Sequence, residues 1–164
     1  MLKEGDKAPD FCLPGLTPEG EEREICLKDL LSEGKYLVLY FYPKDDTPGC
    51  TREASDFRDN FNRIGDKAVV AGVSPDSIES HRKFKEKYNL NFYLLSDVEK
   101  KVLKAYDAYG IKKMYGKERE GVIRSTYIIA PDGTVVKKWR NVRVKGHVDK
   151  VIEELERLSK RGSQ

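Results

Sequence analysis

A thiol, a hydroxyl and two prolines fall close together in FYPKDDTPGCTREASDFRD, where an apolar run gives way to an amphipathic one; Pro43 and Pro48 bracket Thr47 just before Cys50. Thr47 before Pro48 reads as a helix N-cap followed by the first helical position, because proline lacks the N–H that a first turn leaves unpaired anyway. Cys50 then stands three residues after the cap, where an anion faces free amides and the positive end of the helix dipole. Helix N-termini and nearby Arg bring thiol pKa values from about 8.5 to roughly 3.5–7.5, and the thiolate is the nucleophilic form. Gly49 lets a reactant approach the backbone, and Pro43 stiffens the loop that carries the thiol. The competing reading makes Cys50 the start of a core face, since it shares a helical stripe with Ala54, Phe57 and Phe61. The run Pro-x-x-x-Thr-x-x-Cys favours chemistry, because a core cysteine needs no rigid loop, hydroxyl or proline beside it.

The elements that must position this segment follow from hydrophobic period. YLVLYFY, 36–42, and AVVAGV, 68–73, are nearly continuous apolar runs, as expected of strands covered on both faces. Ala54, Phe57, Phe61 and Ile64 recur at helical spacing between them, so a βαβ unit with a parallel pair is predicted. A helix from about Asp76 to Tyr88 follows, then a strand around FYLL, 92–95, then a helix opened by the capping box Ser96-x-x-Glu99 and ended by Gly110. YGIKKMYGKEREG, 109–121, reads as a loop on the rim of a site. VIRSTYIIA, 122–130, and TVVKKWR, 134–140, flank the turn Pro131-Asp132-Gly133 and predict a hairpin. A last helix buries Val148, Val151, Ile152, Leu155 and Leu158, and the tail after Lys160 is expected to fray. An N-terminal hairpin from about Asp10 to Leu27 precedes it all. The order is α/β and thioredoxin-like: a central mixed β-sheet flanked by helices, with an N-terminal β-hairpin extension.

The 164 residues suit one domain spanning 1–164. The charged start MLKEGDKAPD has no apolar leader and no run nears the roughly 18 apolar residues of a membrane span, so a cytoplasmic protein with no membrane partner is expected. Cys12, Cys26 and Cys50 are an odd count without CxxC, which argues against a secreted disulfide framework or a zinc site and for reduced thiols. The formal charge of +3 gives little pull on nucleic acid. Trp139 in the basic stretch 137–145 could stack on a base, but a solvated strand and loop is the preferred reading. His81 and His147 lack the partners of a metal site or a Cys-His pair, and surface or capping roles are expected. No metal and no cofactor is called for.

The 41–59 segment resembles the active-site segment of peroxiredoxins, and especially the PrxQ or bacterioferritin-comigratory-protein class. GDKAPDFCLP near the start, GVSPDSIESHRKF, LLSD at 94–97 and RSTYIIAPDG at 124–133 extend the resemblance through most of the chain. It implies a thiol peroxidase on a thioredoxin-like fold, in which the Cys50 thiolate attacks a peroxide oxygen and becomes a sulfenic acid. By matching positions, Thr47 would hydrogen-bond the peroxide or thiolate, Pro43 would shield the thiol, Arg124 would stabilise developing charge, and the amides of Gly49 and Cys50 would assist. The implied partners are a peroxide and thioredoxin or another thiol reductant, with a monomer expected and a dimer as the alternative. Arg124 has a competing reading, pointing outward or bonded to a carboxylate; Arg58 and Asp59 read as a structural pair.

Two departures matter. Ser55 stands where much of this class has a resolving cysteine, and Lys85 stands where another subgroup has one. Cys12 and Cys26, in apolar strand-like stretches, read as buried and unreactive, with resolution of Cys50 by either of them as the alternative. A one-cysteine cycle with an external reductant is therefore the leading expectation. Ser55 is either natural or an engineered replacement. The alternative to an enzyme is a non-catalytic thioredoxin-like binding module.

Overall fold

The apolar run near residue 40 is continuous because its strand is buried on both faces. In the computed structural model, which describes residues 1–162, β3 (Tyr36–Phe41) sends Leu37, Leu39 and Phe41 into one core layer and Val38 and Tyr40 into the other. β4 (Ala68–Ser74) divides likewise, Val69, Ala71 and Val73 against Ala68 and Val70. Such two-sided burial is what strand alternation produces in a covered sheet.

The sheet also holds β1 (Cys12–Leu16), β2 (Glu22–Cys26), β5 (Tyr93–Ser96), β8 (Ser125–Ile129) and β9 (Val135–Arg140), in the order β2-β1-β5-β4-β3-β8-β9. β3, β4 and β5 run parallel, and the remaining pairs are antiparallel. Helices α2 (Pro48–Asp59), α4 (Ile78–Tyr88) and α6 (His147–Gly162) cover one face through Phe57, Phe84 and Ile152. Short α1 (Leu27–Leu30) and α5 (Lys101–Ala105) cover the other through Leu30 and Leu103. The expected mixed sheet, flanking helices and N-terminal hairpin are all present.

Several local expectations are corrected. The stripe after Cys50 is interrupted at Asn60, and the single turn α3 (Phe61–Ile64) that follows buries Ile64 but leaves Phe61 exposed. Ser96 does not open a helix; it ends β5, and its hydroxyl donates to the Asp76 carbonyl at 2.6 Å. Asp97 instead takes the Leu103 N–H at 2.7 Å, and α5 begins only at Lys101, so Gly110 terminates nothing. The expected loop at 109–121 is a hairpin of β6 (Tyr109–Met114) and β7 (Lys117–Val122). Its two-residue turn places Tyr115 and Gly116 at φ 53° and 77°. Such turns require positive φ at both positions, which Asn-Gly announces and Tyr-Gly conceals. α6 carries on past Lys160 to Gly162, and the rest of the tail lies outside the described residues.

Both histidines are buried, against the surface reading. The ring nitrogens of His81 meet Asp45 and the Leu95 carbonyl at 2.7 and 2.9 Å. His147 meets the Thr126 hydroxyl at 2.8 Å, and burial first, then Lys150 and Arg124, hold its imidazole down to about 4. Trp139 is half-buried with its ring set edge-on to His147.

Gly72 on β4 faces the Tyr40 ring, and a Cβ there would lie 2.8 Å from Tyr40 Cζ. That ring stacks on Phe57 and Tyr42 and has no room to retreat. Gly72→Ala is therefore expected to lower stability by about 1–3 kcal/mol, the usual cost of overpacking. A urea midpoint that does not fall, at constant m-value, would contradict this packing.

Candidate active site

Cys50 sits where the sequence places it. β3 ends at Phe41, the loop 42–47 crosses the sheet edge, and Thr47, extended at φ −91° and ψ 157°, caps α2 with Pro48 in its first turn. The amides of Gly49 and Cys50 belong to the first turn, which has no intrahelical acceptors for them. The Thr47 hydroxyl donates to the Lys44 carbonyl at 3.0 Å, so its oxygen keeps accepting capacity. Pro43 is half-buried in the same loop.

The loop is tied down by polar contacts the sequence does not announce. Buried Asp45 accepts from the Tyr42 hydroxyl at 2.6 Å, from Ser80 Oγ at 2.8 Å and pairs with His81 Nδ1. Its own N–H donates to Asp76 at 2.8 Å. Asp46 takes a left-handed conformation at φ 60° and accepts from Lys87 and Tyr88, fixing the outer side of the loop to α4.

Arg124 lies between β7 and β8, and the pairing of β8 with β3 carries it to the mouth of α2. Its Nη2 donates to Cys50 Sγ at 3.3 Å, and its Nη1 donates to Glu53 Oε1 at 2.6 Å. Arg124 thus faces the thiol and is bonded to a carboxylate at once. Gly49 abuts the same guanidinium, with Nη2 3.5 Å from where a Cβ would stand. Burial opposes the charge on Arg124, but Glu53 and Cys50 outweigh it and hold its pKa above the ordinary value.

Cys50 is only 1 % exposed and packs in the same core layer as Ala54 and Phe57. The sulfur stands at the end of the apolar stripe, as the core reading expects, with a guanidinium over it. Tyr40 lies below, buried, its hydroxyl without a hydrogen-bond partner; burial, then Glu53 and Cys50, drive its pKa well above the ordinary phenol. Arg58 pairs with Asp59 at 2.9 Å and donates to the Tyr88 carbonyl, the structural role expected of it.

Glu53 was not singled out from the sequence, although it stands three residues beyond Cys50 and so on the same side of the helix. Lys112 was missed too. Its half-buried ammonium, on the β6–β7 hairpin, is lowered by burial and by repulsion from Arg124 while Cys50 attracts it. No sequence signal for that approach exists while 109–121 reads as a loop.

The expectation of reduced Cys12 and Cys26 is not met, and that of burial is met by Cys26 alone. They face one another across β1 and β2 and are joined as a disulfide, with Cys12 exposed and Cys26 buried. Lys85, at the other departure, is buried and donates to the carbonyls of Leu90 and Phe92 at 2.8 and 2.7 Å.

Residues 4–138 match the AhpC/TSA family model. The chain is 50 % identical over 158 residues to peroxiredoxin Bcp of Bacillus subtilis, covering 96 % of this chain and 97 % of that one. A solved structure concerned with the alkyl peroxide reduction activity of the Xanthomonas campestris bacterioferritin comigratory protein is 40 % identical, with a TM-score of 0.78 over 88 % of this chain and 90 % of that one. Peroxidoxin BcpB of Mycobacterium tuberculosis is 33 % identical, with a TM-score of 0.80 over 95 % and 97 %.

Burial pushes the Glu53 carboxyl up to about 7 against the pull of Arg124. A carboxyl raised on folding contributes stability that is complete below its unfolded value and is lost as pH rises through its folded value. Relative to Glu53→Gln, the wild-type protein should lose up to about 3 kcal/mol between about pH 4.5 and pH 7. Urea midpoints across that range check this, and a difference independent of pH would contradict it.

Proposed function

The chain belongs to the AhpC/TSA family, and from this premise we propose that Cys50 is the nucleophile of a PrxQ/Bcp-type thiol peroxidase acting on hydrogen peroxide and small organic hydroperoxides. The observation that carries the site assignment is Arg124 Nη2 at 3.3 Å from Cys50 Sγ, with Glu53 on the other arm of the guanidinium. The sulfur attacks one peroxide oxygen, the O–O bond breaks, and the second oxygen leaves as water or alcohol after gaining a proton. The sulfur is left as sulfenic acid.

Negative charge builds on the leaving oxygen during that step. A fixed guanidinium and first-turn amides stabilise it without reorganising at the moment of reaction. Thr47 offers its hydroxyl to the peroxide, Gly49 leaves the approach open, and Pro43 holds the loop over the thiol. The Asp45 contacts are positioning contacts, since they fix the loop rather than meet the substrate. Thioredoxin or another thiol supplies the reducing electrons, and the protein works in the cytoplasm as a monomer. Among the described residues no helix is long and apolar enough to cross a membrane.

Peroxide consumption with dithiothreitol as reductant tests the reading. Cys50→Ser is expected to abolish it, and Thr47→Val to slow it by about tenfold or more, in the range of a lost positioned hydrogen bond. Equal rates for the wild-type protein and Cys50→Ser would reject the enzyme and return the domain to a binding module.

A further inference from the structure

Neither helix beside the site offers Cys50 a second sulfur: Ser55 stands on α2 and Lys85 on α4. The chain does hold one sulfur pair, Cys12 and Cys26, directly opposite each other in the β1–β2 register. Its placement is informative. Gly15, Leu95, Val73 and Phe41 form a row across β1, β5, β4 and β3. β1 runs antiparallel to the other three, so Cys12, three residues before Gly15, lies beyond this row on the same edge of the sheet as the loop and helix that follow Phe41. Both sulfur centres therefore lie toward one end of the sheet, on strands or their continuations that are three inter-strand spacings apart, with Cys12 exposed and Cys50 buried.

The two cysteines also differ in access. Cys12 is exposed beside a groove of about 430 Å³ that includes Phe11, Pro14, Val98 and Val102, whereas Cys26 is 8 % exposed behind it. An exposed sulfur that can attack, backed by a sheltered one that can close on it, is the arrangement of a working dithiol. A hairpin already held by five residue pairs has less need of a purely structural staple.

We propose that Cys12 and Cys26 form the resolving dithiol of this peroxidase, taking the oxidising equivalent from Cys50 and passing it to an external dithiol reductant. The proposal rests on the peroxidase reading of Cys50 and replaces direct attack by the external thiol. The Cys12 thiol attacks the Cys50 sulfenic sulfur, forming a Cys12–Cys50 disulfide and releasing the hydroxyl as water with the thiol proton. Cys26 then attacks the Cys12 sulfur, forming Cys12–Cys26 and freeing Cys50 as thiolate while Cys26 gives up its proton. A dithiol such as thioredoxin, oxidised in turn to its disulfide, restores both thiols by exchange at exposed Cys12. The second step leaves Cys50 free and Cys12 joined to Cys26, a pairing that the hairpin register permits without backbone movement. Since disulfides need Cα atoms within about 7 Å, the first step requires either the opening of the first turn of α2 in one chain or the meeting of two copies.

The test is a single turnover. Fully reduced protein is mixed with one equivalent of hydrogen peroxide, quenched with an alkylating agent at intervals, and mapped by peptide mass spectrometry. The expected result is a Cys12–Cys26 disulfide that appears as the Cys50 sulfenic acid decays, with Cys50 recovered as thiol. Peroxide-driven disulfide formation should be lost in Cys50→Ser, and Cys26→Ser should arrest as the Cys12–Cys50 disulfide. A rate that rises with protein concentration assigns the relay to two copies and a constant rate to one chain, and either supports it. Persistent Cys50 sulfenic or sulfinic acid with Cys12 and Cys26 still reduced would overturn the relay and leave the peroxidase standing. Unspent peroxide with Cys50 still a thiol would reject the peroxidase reading itself.

Discussion

One guanidinium shared between a sulfur and a carboxylate organises this site. Arg124 reaches Cys50 with one arm and Glu53 with the other, and Glu53 is wholly buried. Breaking a buried ion pair by removing one partner commonly costs 3–5 kcal/mol because the other charge is left uncompensated. The second oxygen of Glu53 has no hydrogen-bond partner, so Arg124 is the contact that makes this carboxylate tolerable as an anion. That mutual need fixes the guanidinium beside the sulfur.

The rest of the fold can be understood as the means of bringing these groups together. Residues 50 and 124 meet only because β8 pairs with β3, whose end feeds the loop before α2. The loop is held from the other side, where Asp45 gathers contacts from Tyr42, Ser80 and His81. These contacts link the turn that carries Cys50 to α4. Tyr40 packs under the site only because Gly72 on the neighbouring strand has no side chain. Packing at the sheet and geometry at the sulfur are therefore one problem.

How legible was this in the sequence? The helix start at Pro48 and Cys50 in its first turn were readable because Thr-Pro chemistry is local. The two-faced strands were readable because their apolar runs are unbroken. Glu53 lay in plain view at helical spacing, but a glutamate three residues from a thiol suggests repulsion until a cation between them is known. His81 looked like a surface residue because both its partners, Asp45 and the Leu95 carbonyl, come from distant segments. The β6–β7 hairpin was concealed by a tyrosine in left-handed backbone, and with it the approach of Lys112. The Cys12–Cys26 pairing depends on hairpin register, which two cysteines fourteen residues apart do not disclose by themselves.

The most direct test of the shared guanidinium is the second-order rate of Cys50 oxidation by hydrogen peroxide, followed by stopped flow in pre-reduced wild-type protein and in Arg124→Gln. Loss of a charge aimed at the leaving oxygen should slow this step by about a hundredfold or more, with Cys50 still the residue oxidised. Equal rates in the two proteins would show that the Arg124 contact with the sulfur has no part in the chemistry, and the account given of this site would be wrong.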